Sequence, residues 1–191
     1  LKWSGRCTAC GEMNAVTELT QQEAALLTRT NSDPASAAPL ATEAIDAPST
    51  TPTARLSTGL GEVDRVLGGG LPAGGVVLIG GEPGIGKSTL IGQIAGAIGV
   101  STPALYVTAE ESIDQVRTRL QRVGGMGAKV QLAASNDALA VAEALSSRRY
   151  AVVLVDSIQL LSLASLDGEP GAVSQVRGCA AHLVEAAKRS G

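Results

Sequence analysis

The stretch Gly81-Glu82-Pro83-Gly84-Ile85-Gly86-Lys87-Ser88 constrains this chain more than any other feature of it. It has the spacing G-x-x-x-x-G-K-[ST], and its flanks suit that pattern. Before it, Val76-Val77-Leu78-Ile79 is a short apolar run bounded by glycines, which reads as a buried strand; after it, Lys87 to Ile98 repeats apolar residues at helical spacing. A glycine-rich turn between a strand and a helix lets successive backbone N–H groups face inward around phosphate oxygens. The helix that follows adds its positive N-terminal end. Gly81, Glu82, Pro83, Gly84, Ile85, Gly86, Lys87, Ser88 and Thr89 are therefore expected to line a nucleotide site. Lys87 is placed to reach the β- and γ-phosphates, and the Ser88 hydroxyl to ligate Mg²⁺, with ATP or GTP as the nucleotide.

A site of this kind needs a carboxylate at the end of a neighbouring strand. Ala151-Val152-Val153-Leu154-Val155-Asp156 supplies one, an apolar run ending in an acid. Hydrolysis further needs a group that orients the attacking water. Two acids, Glu110 and Glu111, follow the run Tyr106-Val107-Thr108-Ala109, at the carboxyl end of a strand where open α/β sheets bind ligands. Adjacent residues diverge in direction, so one of the two is expected to reach the nucleotide; the alternative is that both belong to a solvated first helical turn.

The rest of the chain downstream of Arg55 alternates strand and helix. Strands are expected at 104–108, 129–133 and 150–155, and helices from the Ser112 capping box to Val123, at 137–147 and at 173–188. Alternation of this kind predicts an α/β fold, a parallel sheet with helices on both faces. Aromatic residues are scarce, with one Trp, two Tyr and no Phe, so the core is built from Ala, Val, Leu and Ile. A hydrophobic fraction of 45% against 17% charged fits a globular chain. The net charge of −3 gives no global attraction to nucleic acid, although a local basic groove is compatible with it. Arg117, Arg119 and Arg122 give one helix a basic side, for which a solvated face is the default reading and a contact with DNA or a neighbouring subunit the alternative. Cys179 reads as a small buried hydrophobe, and His182, the one histidine, has no partner at helical spacing.

Upstream, two further regions differ in character. Residues 19–54 are rich in Ala, Thr, Ser and Pro and read as a flexible linker, with one or two helical turns at 18–28. Residues 1–18 carry Cys7 and Cys10 in Cys7-Thr8-Ala9-Cys10-Gly11, a spacing that suits a metal knuckle better than a redox pair, since no strand precedes it. Three cysteines make no disulfide framework, no apolar stretch approaches the roughly 18 residues of a membrane span, and no signal peptide opens the chain, so a cytoplasmic setting is expected. The chain begins at Leu1 and stops just after a helix, as a fragment would.

Taken together, these motifs resemble the RadA (Sms) family of bacterial DNA repair proteins, within the RecA superfamily of ATPases. The resemblance is carried by Leu56-Ser57-Thr58-Gly59-Leu60-Gly61-Glu62-Val63-Asp64, by the phosphate loop from Gly80 to Leu90, and by Tyr106-Val107-Thr108-Ala109-Glu110-Glu111-Ser112. Asp156-Ser157-Ile158-Gln159, Ser174-Gln175-Val176-Arg177 and the cysteine segment add to it. It implies a RecA-like P-loop ATPase core over 55–191, preceded by half of a C4 zinc module over 1–18, with Cys7 and Cys10 as two of four zinc ligands. It implies ATP, Mg²⁺ and Zn²⁺ as cofactors, Lys87 and Glu110 as catalytic residues, and Ser88 and Asp156 at magnesium. It further implies a DNA-stimulated ATPase that branch-migrates recombination intermediates, forms a ring on single-stranded or branched DNA, and works beside recombination proteins of the RecA type. An ATP-gated scaffold without turnover, or a RecA-fold ATPase of another branch, is the alternative. In the superfamily a further strand lies between the phosphate-loop strand and the Asp156 strand, so the chain by itself is expected to fold poorly or to be inactive.

Overall fold

The computed structural model describes residues 54–190, together with positions 42 and 44–46. The expected zinc module with Cys7 and Cys10, the helical turns at 18–28 and nearly all of the linker lie outside the described residues.

The described residues 54–190 belong to one compact unit. A parallel three-stranded sheet sits at its centre, with strands β3 (Ala104–Thr108), β4 (Val130–Ala134) and β5 (Val152–Asp156) in the order β4-β3-β5. The register pairs Thr108 with both Ala134 and Asp156, so the three strands end level with one another. All five residues of β3 are buried, as the middle strand of a sheet covered on both faces must be.

Alternation along β3 divides the core in two. Ala104 and Tyr106 face one side, where they pack with Ile94, Ala95 and Ile98 of α2 (Lys87–Ile98) and with Val116 and Leu120 of α3 (Ile113–Val123). Leu105 and Val107 face the other, against Ala138 and Val141 of α4 (Ala138–Ser146) and Cys179 and Leu183 of α5 (Val173–Ser190). The result is the expected α/β architecture with helices on both faces of a parallel sheet. The capping box holds too, because Ser112 and Gln115 bond reciprocally at the start of α3. Cys179 is buried, and burial pushes its thiol up from the ordinary range.

A small antiparallel pair, β1 (Arg55–Leu56) with β2 (Leu71–Pro72), encloses α1 (Gly61–Val66) and packs Leu56, Leu60, Val63 and Leu71 on the first core. Sequence periodicity gave no sign of this pair.

The strand expected at Val76–Ile79 does not form. The run carries no regular secondary structure and no ladder, and Val76, Val77 and Leu78 are 52%, 43% and 81% exposed. Strand β5 pairs with β3 on one edge and has no partner on the other among the described residues, so the apolar run has no neighbour to bond. Apolar composition alone does not make a strand; a second strand in register does.

Candidate active site

The phosphate loop turns on two glycines. Gly84 and Gly86 have φ of 81° and 105°, where any other residue is strained. Gly86 is also the N-cap of α2, and no side chain caps that helix, whereas Ser112 and Asp137 cap α3 and α4. The first amides of α2 are thus left without a side-chain acceptor, which suits them to an anion. Residues Gly81 to Gly86 are exposed, and the Lys87 ammonium donates to the carbonyls of Gly81 and Glu82, both at 2.8 Å. The ammonium therefore sits over the loop.

Strand β5 brings the predicted carboxylate to the same place. Ser88 Oγ donates to Asp156 Oδ1 at 3.1 Å across 68 residues of sequence. Both are hard oxygen donors, and Mg²⁺ takes one or two such protein ligands and completes its shell with phosphate and water. Their chemistry fits the ion. Among the described residues no group of three or more His, Cys, Asp or Glu is gathered for a metal held by protein alone.

The other oxygen of Asp156 is held by two groups that sequence reasoning did not assign to this site. Tyr106 Oη donates to Oδ2 at 2.6 Å, and Arg119 Nη2 reaches the same atom at 3.2 Å. Arg119 also donates to Glu111 Oε2 from Nε and Nη2 (3.1 and 2.6 Å), to Tyr106 Oη at 3.1 Å and to the Ser88 carbonyl at 2.9 Å. Its guanidinium lies 5.8 Å from the centroid of the Tyr106 ring. Burial, and next the hydrogen bond to Asp156, raise the Tyr106 phenol above its ordinary range, so it stays a donor.

Arg119 corrects the expectation of a solvated basic face. Arg117 and Arg122 are exposed, and Arg117 pairs with Asp114 one turn back, but the Arg119 side chain is only 14% exposed. The signal for it was present: Arg119 lies three residues after Val116 and beside Leu120, on the buried stripe of α3 rather than opposite it.

The two acids at the end of β3 differ sharply. Glu111 is engaged by Arg119, and its backbone N–H and carbonyl both bond the Thr108 hydroxyl. Glu110 is exposed and its carboxylate has no hydrogen-bonding partner among the described residues. It stands two residues past Thr108, which is level with Asp156, so it lies at the same carboxyl edge as the magnesium candidates. His182 is exposed on α5, away from this cluster in the sheet topology.

Comparison with known proteins agrees with this geometry. The family described as "ATPase: KaiC" matches residues 56–166, more than half of the chain. Among curated proteins, the chain is 41% identical to the DNA repair protein RadA of Mycobacterium tuberculosis (strain ATCC 25618 / H37Rv), with 98% of this chain and 39% of that protein covered. It is 40% identical to RadA of Pseudomonas aeruginosa and 37% identical to RadA of Bacillus subtilis, in each case over 100% of this chain and 42% of the relative. The chain thus spans about two-fifths of the length of these relatives. The glycine-turned loop, the Ser88–Asp156 contact, the sheet that joins them and the match across them agree: the chain belongs to the KaiC-type ATPases of the RecA superfamily.

Proposed function

We propose that the chain is the nucleotide-hydrolysing part of a DNA repair protein, a DNA-stimulated ATPase acting on branched recombination intermediates. The observation that carries the ATPase half is the approach of Ser88 to Asp156 beside an uncapped, glycine-entered helix. The names of the relatives, DNA repair proteins all, support the DNA half.

In this reading the amides from Gly84 to Thr89 cradle the phosphates and Lys87 neutralises the β- and γ-phosphate oxygens. Ser88 and Asp156 hold Mg²⁺, which when bound offsets charge that develops on the transferred phosphoryl group. Glu110 takes the proton of the attacking water, because it is the member of the acid pair without a competing partner. Strand migration on single-stranded or branched DNA, a ring of copies, partnership with recombination proteins of the RecA type and a cytoplasmic setting belong to the same proposal. Among the described residues no helix is long and apolar enough to cross a membrane. Cys7 and Cys10 are proposed as two ligands of a four-ligand zinc site, which metal analysis of the complete protein tests.

The deciding experiment measures ATP hydrolysis by the complete protein with and without single-stranded DNA. Lys87→Ala is expected to lower turnover by about 10²-fold or more. Glu110→Gln should cost about 10²–10⁴-fold while nucleotide still binds, and Glu111→Gln far less. Turnover indifferent to DNA would remove the repair-motor reading. An active Glu110→Gln variant would remove Glu110 from its role.

A further inference from the structure

Arg119 bonds four acceptor atoms on separate segments: Glu111 Oε2 in the β3–α3 turn, Tyr106 Oη on β3, Asp156 Oδ2 at the end of β5 and the Ser88 carbonyl in the first turn of α2. Two of those residues, Ser88 and Asp156, are the oxygen donors assigned to Mg²⁺. Arg119 touches neither donor atom itself. It bonds the Ser88 main chain and not Oγ, and Asp156 Oδ2 and not Oδ1. Tyr106 takes the same Oδ2, so the carboxylate is held by one oxygen and the other is turned to Ser88 Oγ at 3.1 Å.

A lone cation at that distance would compete with Mg²⁺ for Asp156. Glu111 removes the conflict, because its carboxylate lies 2.6 Å from Arg119 Nη2, closer than the 3.2 Å to Asp156. The pair is near neutral as a unit, and what it delivers to the site is direction rather than charge. The planar guanidinium suits this, since its donors form a rigid fork that an ammonium lacks.

We propose that Arg119, with Tyr106, is the positioning residue of the magnesium–nucleotide site: it fixes Asp156 and Ser88 relative to each other before nucleotide arrives, and Glu111 serves as its counter-ion and not as a catalytic acid. This rests on the ATP-site reading above.

The test is the Mg²⁺ dependence of binding of a fluorescent ADP analogue to the complete protein, which needs no turnover. Two charge-conserving changes are compared: Tyr106→Phe, and the double variant Arg119→Gln with Glu111→Gln. Without Mg²⁺, both should bind the analogue within about threefold of the parent, showing that the loop is intact. The Mg²⁺ concentration giving half of the affinity gain should rise about tenfold or more in the double variant, and by a smaller factor in Tyr106→Phe. If both variants keep that midpoint within about twofold of the parent, whatever happens to their melting temperatures, Arg119 is a structural tie only and the proposal falls. If the double variant fails to fold, Tyr106→Phe decides in the same way. A parent that shows the Mg²⁺-dependent gain but no hydrolysis overturns the ATPase reading and leaves this titration to judge Arg119.

Discussion

Asp64 shows how single side chains in the lead-in segment brace the core beside the site. Its carboxylate accepts from Ser57 Oγ (2.6 Å), from the Thr58 amide (2.8 Å) and from Thr58 Oγ1 (2.7 Å). These bonds, Ser57 first and then Thr58, hold its carboxyl below the usual carboxylate range. A carboxyl depressed on folding adds stability that is full above its unfolded value of about 3.9 and is lost as pH falls through the folded value. Asp64→Asn should therefore melt at lower temperature than the parent at pH 7, and the gap should narrow as pH drops below about 4. Melting curves from pH 7 to 3 check this; parallel curves would mean that Asp64 is not titrating out of this cluster. Legibility at this scale follows contiguity. Lys87, Ser88 and Asp156 were readable because each is marked by its immediate neighbours in the chain. The burial of Arg119 could be read from its place on the α3 stripe, but its partners and those of Tyr106 could not, because they lie 8 to 50 residues away and only the packed sheet brings them together.

At the scale of elements, close approach and buried polar clamps set the positions of the helices. Helix α2 crosses the turn after α3 so closely that a Cβ at Gly96 would lie 2.5 Å from the Gly125 backbone. On the opposite face, Gln175 of α5 is buried and ties down the loop that follows β5. Its Oε1 accepts from the Leu163 amide at 2.9 Å, and its Nε2 donates to the carbonyls of Leu163, Leu166 and Gly168. Gly96→Ala should cost about 1–3 kcal/mol, since backbone cannot swing aside as a side chain can. Gln175→Leu strands a buried amide and should cost about 1–3 kcal/mol as well. Equilibrium urea unfolding of the complete protein measures both, and a change under about 0.5 kcal/mol for either would refute its clamp. Periodicity placed α2 and β3 to the residue and the other helices and strands of the central sheet within two, because burial of a stripe leaves a mark every second, third or fourth position. It could not reveal which glycines are contacts and which are turns, since that depends on the neighbour across the interface.

For the molecule as a whole, three predicted strands formed and the fourth did not, and the difference is one of partners rather than composition. Val76–Ile79 is as apolar as β5, yet β5 has β3 beside it, and pairing is a property of two segments that no single stretch of sequence displays. One result of this concerns exchange of backbone hydrogens with solvent. The β3 amides, bonded and buried, open only with the most stable part of the structure, whereas residues 76–79 have no ladder and the first three of them are exposed. In deuterated buffer this chain should label fully over 76–79 at the first time point and last over 104–108. The phosphate loop is thereby anchored firmly at its helical end and loosely at its leading end. Nucleotide that grips the loop has to quiet that leading arm, so slowed labelling of residues 76–79 on adding Mg-ADP would register occupancy in a part of the chain that lies before the loop.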